Sequence, residues 1–189
     1  SRHGTPHTLG YYILHEGFVG VLDDRLQEDS YSDIEKKRKD FSSTNAWLGF
    51  TDKYWAAALL PLTTDRIQAQ FAAFQNGTKR YQTYYNLDPK TVAPGSTGKV
   101  ETRLFAGAKE VSIVDGYNQQ LGLNKFDRLI DWGLFLFITK PLFLAMDWIY
   151  HKVGNFGVAI LIVTVIIKIF FFPLANKSYA SMAKMKAVQ

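Results

Sequence analysis

Phe156-Gly157-Val158-Ala159-Ile160-Leu161-Ile162-Val163-Thr164-Val165-Ile166-Ile167-Lys168-Ile169-Phe170-Phe171-Phe172-Pro173-Leu174-Ala175 is a twenty-residue apolar run with one charge in it. At about 1.5 Å of rise per residue a helix of that length reaches roughly 30 Å, the thickness of a bilayer's hydrocarbon core. Lysine within such a helix costs on the order of 2.5–3.5 kcal/mol of insertion free energy, less where it snorkels toward an interface. A charge kept at that cost marks a functional position by default. The run therefore predicts a membrane-spanning helix with Lys168 as candidate functional residue. Thr164 lies one turn earlier on the same face.

The charge distribution points the same way. Up to Asp147, seventeen Lys and Arg cancel seventeen Asp and Glu. After it come Lys152, Lys168, Lys177, Lys184 and Lys186 with no acid, so the net +5 belongs to the apolar segment and its flanks. Three of those lysines follow the run and one closely precedes it. The positive-inside rule places the C-terminal side in the cytoplasm and Ser1–Tyr150 outside. The chain starts without methionine or an apolar leader, which predicts an internal piece of a longer protein. Nucleic-acid binding needs a basic patch on a folded face, so no direct nucleic-acid contact is expected. With no cysteine, disulfides and cysteine-ligated metals are excluded, and an oxidising compartment fits.

From Thr8 to about Thr102 the texture is β. Leu9–Leu14, Ala46–Phe50, Tyr54–Leu60, Ile67–Phe74, Tyr81–Tyr85 and Val100–Phe105 are short aromatic and β-branched runs. Asn76-Gly77, Asp88-Pro89 and Ala93-Pro94-Gly95-Ser96-Thr97-Gly98 punctuate them, and Asn76-Gly77 is the sharpest hairpin signal. The spacing predicts an antiparallel β-sandwich, partial if strands lie upstream. Val21–Asp40 reads as a polar helix or loop ending in the basic run Glu35–Lys39, either a solvated face near acids or an anionic-lipid contact. Lys109–Leu123 reads as a helix with Val111, Val114, Tyr117 and Leu121 on one face.

Phe126–Tyr150 is apolar but interrupted by Asp131, Lys140-Pro141 and Asp147. Pro141 predicts a break or kink. Lys140, Asp147 and His151 fall within about 40° of one another at 100° per residue, leaving an apolar face of Leu142, Leu144, Ala145 and Trp148. This pattern fits an interfacial helix with Trp132 and Trp148 at headgroup depth; a tilted second span is the alternative.

Three stretches resemble the YidC insertases, the bacterial branch of the Oxa-type family. They are Trp47-Leu48-Gly49-Phe50-Thr51-Asp52-Lys53-Tyr54-Trp55 through Pro61; Leu104–Glu110 followed by Phe126–Gly133; and Gly154–Ile160 with Phe172–Tyr179 and Ser181–Lys186. The resemblance implies the C-terminal part of a periplasmic β-sandwich domain over 1–123, an amphipathic interfacial helix over 124–152, a transmembrane helix over 153–176 and the start of a cytoplasmic helical hairpin over 177–189. It implies a membrane protein insertase and chaperone of the bacterial inner membrane. Its expected partners are nascent inner-membrane proteins, the Sec translocon and SecDF, the ribosome and the lipid bilayer. Within it, Lys168 and Thr164 would line a hydrophilic groove. Relatives often carry arginine at that position; lysine keeps the charge but loses the planar fork that grips carboxylates.

No enzymatic role and no cofactor is expected. His3, His7, His15 and His151 show no metal-ligand spacing, and neither a phosphate loop nor a nucleophile elbow occurs. His15-Glu16 reads as satisfied side chains. Asn76-Gly77-Thr78 and Asn176-Lys177-Ser178 match glycosylation sequons. Two rival functions remain open from sequence. One is an anchored sandwich that binds carbohydrate or peptide, with Tyr81–Tyr85 lining a cleft. The other is a single-span structural subunit with Lys168 paired to an acid on a partner helix.

Overall fold

A computed structural model describes the backbone of residues 1–4 and 14–186. The chain divides into two compact units, Ser1–Asp131 and Trp132–Gln189. The strand expected over Leu9–Leu14 lies, apart from Leu14, outside the described residues.

In the first unit, the described strands form two antiparallel sheets. One sheet orders β1 (Arg2–His3), β8 (Thr78–Leu87), β7 (Ile67–Asn76) and β4 (Lys39–Ser43) side by side. The other runs β3 (Arg25–Asp29), β2 (Gly17–Leu22), β5 (Ala46–Thr51), β6 (Trp55–Pro61) and β9 (Thr102–Ala108). This is the expected sandwich. Its strands carry their apolar residues on alternate faces, as the period of two requires. Phe18, Leu22, Leu48, Ile67, Phe71 and Tyr81 meet between the sheets. On the far side of the five-stranded sheet Val19, Val21, Trp47, Ala56, Ala58 and Leu60 meet Val114, Phe126 and Leu129.

That second cluster makes the five-stranded sheet a middle layer, and it explains why every residue of β2 is buried. Val114 comes from α2 (Val111–Gln120), the helix expected over 109–123. Phe126 and Leu129 come from a 3-10 turn, Phe126–Leu129. The compact unit thus continues to Asp131, past the 123 at which the sequence reading ends the sandwich, because both apolar residues are spent on the sheet. Trp47 fixes this turn: its indole N–H donates to the Asn124 carbonyl at 3.0 Å, and its ring stands edge-on to Phe126.

The expectation of a polar helix or loop over Val21–Asp40 needs correction. The stretch contains the end of β2, all of β3, the short helix α1 (Tyr31–Lys36) and the start of β4. Asp23 and Asp24 both take positive φ (47° and 65°), the two-residue turn that matches strand twist. β3 pairs locally with β2 through that turn, and its polar Arg25–Asp29 sequence hid the hairpin, whereas β4 pairs with the distant β7. Ser30 starts α1 by accepting the Asp33 N–H at 3.1 Å.

The second unit is a helical hairpin. α3 (Leu136–Val153) continues through Pro141, where the sequence leads one to expect a break or kink. Proline removes one backbone donor there, while the flanking turns persist. Gly154 ends the helix in the left-handed conformation (φ 73°), its N–H donating to the Tyr150 carbonyl at 2.7 Å. Asn155 then caps α4 (Phe156–Lys186), its side-chain oxygen accepting the Val158 N–H at 3.2 Å. α3 packs against α4.

Candidate functional site

The apolar part of α4 long enough to cross a membrane is Phe156–Tyr179, 24 residues. It extends four residues past Ala175, because the helix continues through Pro173 instead of stopping there. Lys168 sits twelve residues from Phe156 and eleven from Tyr179, so the cation lies at the middle of this apolar stretch. At 1.5 Å per residue that is roughly 18 Å from one end and 17 Å from the other.

The side chain of Lys168 is exposed, and no ion pair holds it among the described residues. On α4, Ala159 is fully buried and Val163 nearly so. Ala159 precedes Lys168 by nine residues, a rotation of about 180° at 100° per residue, so the lysine lies on the helix side opposite that packed position. Gly157, Thr164 and Ala175 share the lysine's face within about 40°. Leu161 and Phe172 fall within the same 40°, both well exposed, so the lysine and threonine are polar groups set on a face that is otherwise mixed in size.

Thr164 stands on that face with its hydroxyl donating to the Ile160 carbonyl at 2.7 Å. The donor is thus used within the helix, and the oxygen's acceptor capacity remains. A third polar group escaped the sequence reading. Pro173 has no N–H, so the carbonyl of Ile169, next to Lys168, loses its ordinary intrahelical donor. A proline five residues after the lysine, which frees the carbonyl of the residue next to it, is the signal that would have found it.

On α3 the polar stripe read from sequence is organised as a contact: His151 Nδ1 lies 3.5 Å from an Asp147 carboxylate oxygen. Lys140 lies over the Trp132 ring and Lys152 over Trp148. No described residue of α3 is buried. Leu134, Phe135, Phe137, Ile138 and Trp148 are all more than half exposed.

In the first unit the remaining candidates are structural. Tyr81 is fully buried between the sheets with its hydroxyl on Glu35, while the hydroxyls of Tyr84 and Tyr85 engage Gln70 and Thr102. That leaves little of the aromatic cleft a carbohydrate or peptide module would use. The basic run is a solvated face among acids: Lys36 faces Asp33 at 3.6 Å, Arg38 faces Asp40 at 3.4 Å and Lys39 meets buried Asp29 at 2.6 Å. Hydrogen bonds from Lys79 and Tyr81 hold the Glu35 carboxyl below its usual pKa. Burial lowers the Lys109 pKa, and its ammonium donates to Thr51 at 2.9 Å. His15 is satisfied, its N–H donating to Asp131 and its ring facing the Phe18 carbonyl, both at 2.8 Å. Among the described residues no cluster of three or more His, Asp or Glu side chains converges to hold a metal ion.

Residues 1–145 match the family model described as the YidC periplasmic domain, and residues 148–189 match that described as the 60Kd inner membrane protein. Similar proteins are each named membrane protein insertase YidC. That of Nitrobacter hamburgensis is 61% identical over 201 residues, covering the whole chain and 33% of the relative. Those of Bradyrhizobium diazoefficiens and Beijerinckia indica are 58% and 54% identical, again over the whole chain and 32% of each relative. The chain spans about a third of the length of these relatives.

Proposed function

The chain belongs to the YidC family, and from that premise we propose that it is part of a membrane protein insertase of the bacterial inner membrane. The observation that carries the reading is Lys168: an exposed cation at the middle of a membrane-length helix, on the side opposite its packed Ala159. A group so placed is useful only if water reaches it, and a hydrated cation within a greasy surface lowers a barrier without doing chemistry. A client's short polar tail enters a groove lined by Lys168 and Thr164, while its apolar segment slides along the exterior of α4 into lipid. Carboxylates on the tail meet the lysine. At ~4 Å such a pair is worth about 1 kcal/mol in water and about 4 kcal/mol at an effective dielectric of 20. That range suits transient capture, since tighter binding would hold the client. The Thr164 oxygen and the Ile169 carbonyl keep the neighbourhood wet. A membrane potential positive outside then draws the acidic tail outward.

The rest of the chain is arranged around this step in the same reading. The β-unit lies in the periplasm, α3 lies in the outer interface, and α4 crosses the membrane into a cytoplasmic hairpin. Flanking Lys177, Lys184 and Lys186 support that orientation. The exposed apolar surface of α3, with its single Lys140–Asp147–His151 stripe, supports the interfacial placement. The Sec translocon, SecDF and the ribosome are partners we assign on family membership alone, as is a chaperone role in folding the inserted client.

The test is complementation by the intact protein with Lys168 changed to Ala, Glu or Arg. Lys168→Arg is expected to support growth. Lys168→Ala should selectively impair clients with acidic exported tails, and Lys168→Glu should impair them most. Equal support from all three removes the groove charge from the mechanism. Loss with Lys168→Arg points instead to a shape-specific pair with an acid on another helix, the single-span structural reading.

A further inference from the structure

The turn between β5 and β6 presents two large aromatic side chains to solvent at the point where the chain leaves the β-unit. Tyr54 is 64% exposed and Trp55 63%, although the rest of the stretch from Trp47 to Leu60 supplies much of the core. Lys53 rests over the Tyr54 ring, 5.0 Å from its centre. Neither the Tyr54 hydroxyl nor the Trp55 indole N–H has a hydrogen-bond partner among the described residues. The burial of β6 alternates cleanly after this point, Ala56, Ala58 and Leu60 being buried, so Trp55 is excluded from that core face by register.

The place of the turn gives the exposure meaning. The Tyr54 carbonyl accepts the Lys109 N–H at 2.9 Å. Tyr54, Leu14, Ala108, Lys109, Ile130 and Asp131 line one shallow cavity of about 280 Å³. Asp131 is the last residue of the β-unit, and α3 starts five residues later at Leu136. Five residues of chain reach at most about 18 Å, whatever path they take. The cavity that Tyr54 lines thus ends at the residue from which that short connection to α3 begins.

We infer that Lys53-Tyr54-Trp55 is a membrane-contact tip, seating the Tyr54 and Trp55 rings among the lipid headgroups of the outer surface. Tyrosine and tryptophan favour that depth because an apolar ring and a polar tip are satisfied together. The occupant is a phospholipid surface, whose phosphate and ester oxygens accept the free Tyr54 O–H and Trp55 N–H. The contact needs no anionic lipid: Lys53, Lys109 and Arg2, which pairs with Asp52 at 3.4 Å, are balanced by Asp52, Glu110 and Asp131 in or beside the turn and cavity. The inference rests on the reading of α3 as an interfacial helix.

The experiment uses the intact protein, with any cysteine outside this chain replaced by serine, in phosphatidylcholine vesicles. Nitroxide labels go at Tyr54→Cys, at Phe137→Cys on α3, and at Thr97→Cys in the loop 88–101, at the other end of β6. Collision with oxygen, which concentrates in lipid, is compared with collision with a water-soluble nickel chelate. The oxygen-to-nickel ratio at position 54 is expected to exceed that at 97 several-fold and to approach that at 137. A label at 54 that behaves like 97 while 137 is in lipid overturns the tip contact and leaves the α3 reading intact. A label at 137 that behaves like 97 while 54 is in lipid overturns the α3 reading and sustains the tip. Shielding of position 54 from both relaxants shows protein covering it, which overturns the proposal. So does a lipid signal at 54 that appears only after phosphatidylglycerol is added.

Discussion

Trp47 and Trp148 show how differently the two units are built. Trp47 is 1% exposed, hydrogen-bonded and ring-packed between a sheet and a turn. Trp148 is 65% exposed on a helix with no buried residue. The same contrast holds for charge: lysines of the β-unit meet acids such as Asp29, Asp33 and Glu35, whereas Lys168 meets none among the described residues. Water is the solvent that makes sense of the first unit. The second hides few of its apolar groups, which suits a solvent as apolar as its own surface.

The contrast breaks hardest at the tryptophans. Trp47→Ala should cost about 3–5 kcal/mol of β-unit stability through lost burial and a cavity, with the Asn124 carbonyl left unpartnered as well. Trp148→Ala should stay within about 0.5 kcal/mol in the same measurement. Denaturant unfolding followed by circular dichroism in the β-sheet region checks both. Comparable losses at the two positions would mean that α3 is as buried as the sandwich.

Asn155→Ala sharpens the comparison within the helical unit, where caps are among the few local polar contacts that set helix ends. Losing the Val158 N–H contact should destabilise the start of α4 by about 1 kcal/mol. Hydrogen exchange at the Val158 and Ala159 amides should quicken, with no change in the sandwich. The smallest effect concerns pH. Ser43 and Thr44 donate to the Asp23 carboxylate and hold its pKa below the ordinary 3.8. A depressed carboxyl contributes stability that is present above the unfolded pKa and is lost as pH falls through the folded value. Because Asp23 is exposed, solvent screening leaves this on the order of a few tenths of a kcal/mol. Asp23→Asn should flatten the acid limb of β-unit stability below about pH 4, seen as a smaller fall in thermal midpoint.

Legibility from sequence followed the locality of the signal. The apolar run of α4, the β texture from Ala46 to Phe105 and the Asn76-Gly77 hairpin rest on neighbours a few residues apart. Strands β2 and β3 escaped because a polar half and an Asp-Asp turn disguise a local hairpin, and β4 because its short polar stretch becomes a strand only when the distant β7 supplies its ladder. Lys168 stood out because one charge among twenty apolar residues needs no context. The exposed pair Tyr54-Trp55 read simply as the start of a strand run, since composition cannot tell an inward ring from an outward one.

By itself, then, the sequence determined that one helix is long and greasy enough to cross a bilayer, that it carries a cation, and that an antiparallel β-unit precedes it. Those properties follow from hydropathy, periodicity and turn chemistry, which act over a few residues. Tertiary structure alone decided that Phe126 and Leu129 close the β-unit, that α4 runs unbroken past Pro173 and so centres Lys168, and that the Tyr54 turn sits beside the chain's exit. Each depends on contacts between residues far apart in the chain or on a helix outlasting a local breaker, and only the summed packing of the whole unit sets those outcomes.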